Sequence, residues 1–197
     1  MKVVVAMLVC VSAAFGQGRY HPHSSWSPTT YIGVEYGLAD DYRIIAQGDL
    51  STQRTGIGPI ESMIVQQSLS PISSISMHFG VRDQITDGLH TKYYRLCVEA
   101  DGGFDWGPFF ASGLDLSVLH SSIATGGDHD SNLVPYHRGL AVGLLSSCGW
   151  NISMGPVELS PAISWNVPLS TITDLNALHW RITSIFYSLA LKYGIED

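Results

Sequence analysis

The chain has little charge and no second long apolar run. Only 14% of its 197 residues are charged, 10 of them Lys or Arg and 17 Asp or Glu, where ordinary soluble domains carry ~25%. A net charge of −7 leaves no basic face to neutralise phosphates, which excludes nucleic acid as a partner class. Beyond the first fifteen residues nothing approaches the ~20 apolar residues of a membrane helix. Any membrane insertion must therefore use strands. Helical periodicity is absent as well, and 20 Gly and 9 Pro interrupt the chain throughout. No Gly-rich phosphate loop is present; Gly56-Ile57-Gly58 reads as a turn. Histidines fall at His90, His120, His137 and His179, but no tight spacing of His and carboxylate suits a metal. Neither metal nor cofactor is expected.

What is present begins with a targeting segment. Lys2 precedes an apolar run from Val3 to Phe15, and Ala14-Phe15-Gly16 resembles a small-x-small cleavage site. Residues 1–16 are read as an export signal and 17–30, rich in Ser, Pro and His, as a leader. Residues 31–197 then form one domain. Export places the chain where disulfides can form. Cys10 leaves with the signal, so Cys97 and Cys148 are the candidate pair. Both are assigned near one end of the domain, but with an intervening strand that stretches the reach of a disulfide.

From Tyr31 onward, apolar residues recur at every second position. Ile32, Val34, Tyr36 and Leu38 alternate with Gly33, Glu35 and Gly37. Ile75, Met77, Phe79 and Val81 alternate with Ser74, Ser76, His78, Gly80 and Arg82. Tyr94, Leu96, Val98 and Ala100 alternate with Arg95, Cys97, Glu99 and Asp101. Similar rows occupy Tyr42–Leu50, Phe109–His120, His137–Trp150, Val157–Val167 and Trp180–Tyr193. Period two marks strands with two unlike faces. Ile60–Leu69 cannot be assigned a face. Short links (Asp101–Pro108, Asn151–Pro156) alternate with longer polar ones (Ser121–Tyr136, Leu169–Leu178). Trp106, Trp150 and Tyr193 fall near the short links; Tyr136, Trp165 and Trp180 fall near the long ones, as two aromatic belts would.

These features predict an all-β, antiparallel up-and-down transmembrane barrel whose apolar rows face lipid. Nine segments are counted. Eight strands result if Tyr31–Leu50 is one bent strand, and ten if one strand was missed; eight suits the length. The segments GLAVGLLSSCGWNISMGPVELSPAISWNVPL and DLNALHWRITSIFYSLALKYG, with PFFASGLDLSVL before them, resemble the hairpins of small outer-membrane barrels of the OmpA/OmpX-like porin superfamily. The resemblance implies that fold, an outer-membrane location in a bacterial cell and a non-enzymatic role. Unlike the larger OmpA-type proteins, the chain is expected to carry no peptidoglycan-binding module after the barrel. Tyr193 stands near the end where the family places a terminal aromatic, here followed by Gly194-Ile195-Glu196-Asp197.

In such a barrel the mixed faces bring Glu35, Arg95, Glu99, Asp115, Glu158 and Lys192 into the lumen. Buried charges need partners, so these six are expected either to plug the lumen as a salt-bridge network or to line a narrow solute path. In the longest loop, Asp128, His129, Asp130 and Asn132 are the candidate contact residues. The expected partners are outer-membrane lipid and other envelope proteins met through the loops. His120-Ser121-Ser122 resembles the rim His and Ser of lipid A deacylases, but Ile123 stands where that family has Asn. The remaining alternative is a secreted β-sandwich binding module, whose apolar faces would meet one another.

Overall fold

The computed structural model describes residues 29–47, 50–86, 89–104, 107–124, 131–132, 134–136, 139–170 and 179–196. The proposed signal and most of the leader lie outside the described residues, as do Trp106, Asp128, His129, Asp130 and His137. The strands in chain order are β1 (Thr29–Gln47), β2 (Leu50–Ser70), β3 (Ser73–Thr86), β4 (Leu89–Gly103), β5 (Pro108–Ala124), β6 (Ser131–Asn132), β7 (Leu140–Trp150), β8 (Ile152–Met154), β9 (Val157–Pro168) and β10 (His179–Glu196). Eight of them form the wall, in the order β1-β2-β3-β4-β5-β7-β9-β10, each antiparallel to its neighbours. The wall closes where β10 pairs with β1. The short β6 folds back onto the end of β5, and β8 pairs with the start of β9.

Registers show how the barrel is sheared. A path that leaves β1 at Tyr31 runs through Gln66, Ser76, Glu99, Gly113, Leu145, Asn166 and Ser184. It returns to β1 at Asp41. This offset tilts the strands against the barrel axis and fixes a lumen just wide enough to be filled by side chains.

Alternation sorts the residues as the sequence suggests. Ile32, Val34, Tyr36, Leu38, Ile75, Met77, Phe79, Tyr94, Val98, Leu114, Val118, Leu189 and Leu191 are all large, apolar or aromatic, and exposed on the outside. Glu35, Arg95, Glu99, Asp115, Glu158 and Lys192 occupy inner rows. A sandwich is excluded: there is one closed sheet, and its apolar face meets no other sheet. Trp150, Phe104, Phe110 and Tyr193 lie exposed toward the short turns, and Tyr42 and Tyr94 toward the opposite rim.

Several boundaries differ from the sequence reading. Tyr31–Leu38 and Tyr42–Gln47 belong to one strand, which begins two residues inside the assigned leader at Thr29. The stretch Ser51–Pro59, Gly56-Ile57-Gly58 included, is not a turn but the first half of β2. Gly58 is needed there: a Cβ would run into the backbone carbonyl of Asp83 on the next strand. Ser121–Ala124 belongs to β5 rather than to the long loop. Between β7 and β8 the ladder breaks opposite Pro161, which has no N–H to give. There the side chain of Asn151 accepts a hydrogen bond from Ser160 Oγ at 2.8 Å.

Candidate functional site: the filled lumen

The inner rows of eight strands converge on a layer of Ala39, Ile60, Cys97, Leu145 and Phe186. At its centre Phe186 is only 2% exposed. The guanidinium of Arg82 lies 4.9 Å from its ring centroid and that of Arg95 5.0 Å, both within the range at which a cation is held by an aromatic quadrupole. Two guanidinium groups, from the adjacent strands β3 and β4, thus pack against one buried aromatic ring in the lumen.

Each cation is held by its own acids. Arg82 donates to Asp41 and to Ser184, and Ser184 Oγ donates to Asp41 at 2.6 Å. Arg95 Nε donates to Asp115 Oδ1 at 3.0 Å, and its Nη1 lies 3.8 Å from Glu35. Glu35 also meets His78 Nδ1 at 3.0 Å. Asp115 accepts a second bond from Asn166. Gly143 makes room for that amide, since a Cβ there would collide with the Asn166 side chain. Toward the short turns, Lys192 Nζ pairs with Glu158 at 2.5 Å and donates to Gln66 at 2.8 Å. Gln66 donates to Ser74, which donates to Asp101. Buried ion pairs need partners for their remaining lone pairs and protons; these chains supply most of them, while Asp41 Oδ2 and Arg82 Nε have no hydrogen-bond partner among the described residues. A cavity of about 50 Å³ remains among the side chains below Phe186, room for a few waters at most.

No family model and no curated protein matches the sequence. Solved structures do match in shape. Neisserial surface protein A superposes with a TM-score of 0.51 at 15% identity, covering 85% of this chain and 99% of that one. The outer membrane protein OprG from Pseudomonas aeruginosa gives 0.52 at 10% identity, covering 87% and 97%. Ail, the attachment invasion locus protein of Yersinia pestis, gives 0.51 at 8% identity, covering 84% and 98%.

This is the fold of the small outer-membrane β-barrels.

Within that barrel the six expected interior residues divide into three places. Glu35, Arg95 and Asp115 form one cluster, and Glu158 with Lys192 another. Glu99 forms no ion pair with either among the described residues; Ser147 Oγ and Cys97 Sγ donate to it, each at 3.4 Å. Asp41 was not among the six, because it falls between the segments Tyr31–Leu38 and Tyr42–Leu50, although it keeps the phase of Glu35 along β1. Alternation placed Arg82 and Phe186 on the mixed faces without recognising that they meet.

The candidate disulfide does not form: Cys97 and Cys148 are both free. Cys97 points into the lumen, whereas Cys148 lies outside the inner row formed by Gly143, Leu145 and Ser147. Cys97 is also level with Asp115, while Cys148 pairs with Phe110, five positions along β5. The two were not, as expected, near the same end. The rim histidine reading fails on geometry too. A bulge between Lys92 and Tyr93 inserts one residue into β5, and bulges re-aim side chains. His120 turns outward onto Tyr94, ring centroids 4.8 Å apart, while Ser122 faces inward, 0% exposed, against Thr91. His120 and Ser122 therefore stand on opposite faces of the wall and do not pair as base and nucleophile. Of the loop candidates, Asn132 is exposed and its Oδ1 accepts the backbone N–H of Val134 at 3.0 Å, with β6 pinned to β5. Among the described residues no cluster of His, Cys, Asp or Glu suits a metal.

Proposed function

We propose that this protein is a non-enzymatic outer-membrane barrel with no standing pore, which works through the loops and rim on its long-loop side. The observation that supports this reading is the Phe186 layer. Arg82 and Arg95 hold the ring across the lumen, and the acids around them are already engaged. A solute path would require breaking buried charge pairs, each of which leaves an uncompensated charge behind. In this reading the barrel is an anchor in lipid, and contact with other envelope components falls to the segment around Asp128, His129, Asp130 and Asn132. The runner-up is a narrow channel, favoured by the polar cavity below Phe186 lined by Gln66, Ser76 and Glu99. Conductance across planar bilayers decides. The purified barrel should give no steady single-channel steps, and Phe186→Ala should introduce them. Steady steps from the unaltered protein, unchanged by that substitution, would establish the channel instead.

A further inference from the structure

The outer face carries one charged residue that the lipid reading does not explain. Among the described residues, the charged side chains on the outside are Asp40, Glu61, Asp83 and Lys92. Asp83 and Lys92 lie 3.7 Å apart toward the long-loop rim, and Asp40 lies above Leu38 on β1, beside Tyr42. Glu61 has no such setting. It is exposed, and its own strand presents Ile57 on one side of it and Met63 and Val65 on the other, all exposed outward. On the neighbouring strands Tyr36 and Val81 stand directly across from it, with Val34, Leu38 and Phe79 beside them. Glu61 therefore sits inside the apolar belt, not at its edge, and makes no ion pair or hydrogen bond to any described residue. Ionisable groups facing hydrocarbon are costly, and they mark functional contacts by default.

Tyr36 supplies the clue to what meets it. Its phenol is 59% exposed, it is paired directly with Glu61 in the β1–β2 register, and it too makes no hydrogen bond to the described residues. Residues opposite one another on adjacent strands have Cβ atoms ~4.5–5.5 Å apart. A donor and an acceptor thus stand side by side on one wall, both unused. Two barrels in one membrane share an orientation, so a two-fold axis relating them runs along the membrane normal. An axis passing between β1 and β2 exchanges left for right at constant depth. It lays each tyrosine against the other copy's glutamate.

We propose that the β1–β2–β3 wall is the interface of a two-fold dimer of this barrel within the membrane, joined by reciprocal Tyr36–Glu61 hydrogen bonds. Such an interface is self-complementary, as two-fold contacts must be. A second copy is favoured over a cationic partner because both halves of the pair are already on this wall. Val34, Leu38, Met63 and Phe79 frame the contact.

Sedimentation equilibrium of the refolded protein in detergent micelles tests this. The unaltered barrel should be dimeric. Tyr36→Phe and Glu61→Leu should each weaken dimerisation at least ~10-fold (1.4 kcal/mol per tenfold). The double variant should be no weaker than the worse single, because each change already removes both bonds. Both substitutions make the belt more apolar, and gel mobility before and after boiling verifies that the barrel has folded. In bilayers, and in a Cys148→Ala background, copies carrying Val34→Cys should form disulfides with differently tagged copies carrying Met63→Cys. A monomer at every protein-to-detergent ratio overturns the proposal. So does a dimer indifferent to both substitutions, or cross-linking in cells only to a different protein.

Discussion

The inner and outer faces of this wall are built from the same strands, often from adjacent residues, yet they treat charge in opposite ways. Inside, Asp41, Arg82, Arg95, Asp115, Glu158 and Lys192 are buried and each is matched to an opposite charge. Outside, the rows are nearly all apolar, and the Asp83–Lys92 pair lies toward one rim. Polarity alone therefore does not decide where a residue can sit. A buried charge is tolerated where neighbouring strands bring a partner within reach, and lipid offers none.

The comparison is broken most severely from the inside. Arg95→Ala leaves Asp115 and Glu35 facing each other without their shared cation, and we expect a loss of about 3–5 kcal/mol, typical of a buried pair with one partner removed. Equilibrium urea unfolding in lipid vesicles measures it, and a loss below that of the next variant would reverse the ranking. On the outside, Leu114→Arg places a charge on the lipid face and should cost about 2–4 kcal/mol if the position lies near the bilayer midplane, less toward an interface. Finding no loss there would mean that this row does not face hydrocarbon. The gentlest probe changes no stability at all. A maleimide added to the folded barrel in detergent should label Cys148 and spare Cys97 until the protein is unfolded. Equal labelling of both would contradict their assignment to different faces.

Alternation made most of the wall legible. Along most of β3, β4 and β10 the outer row is apolar and the inner row small or polar, with Phe186 the large exception inside, so period two is plain in the sequence. It fails in Ile60–Leu69 because both faces depart from the rule at once. Ile60 and Ile64 point inward, 1% and 2% exposed, since the lumen has an apolar layer, while Glu61 points outward. Neither departure can be read from a pattern that equates apolar with outside. The bulge that separates His120 from Ser122 is equally silent, because one extra residue on one strand leaves no mark until the partner strand is known. The clusters were only half legible. Phase tells which side of the wall a residue faces, but the shear of the barrel sets which residues share a height. That is why Glu35 met Arg95 as expected while Glu99 did not, and why the cysteines were misplaced along the axis.

The pairing of β1 with β10 has a consequence for how the molecule comes to exist. Its register runs from Thr29 against Glu196 to Ala46 against His179, joining segments that are nearly the whole chain apart. Contacts between such distant segments are slow to form. Until they do, β1 and β10 are open edges whose unpaired amides and carbonyls hydrocarbon cannot satisfy. A chain that stops short of β10 is therefore not a smaller barrel but an unfinished one. Only the β1–β10 pairing leaves the wall without an open edge.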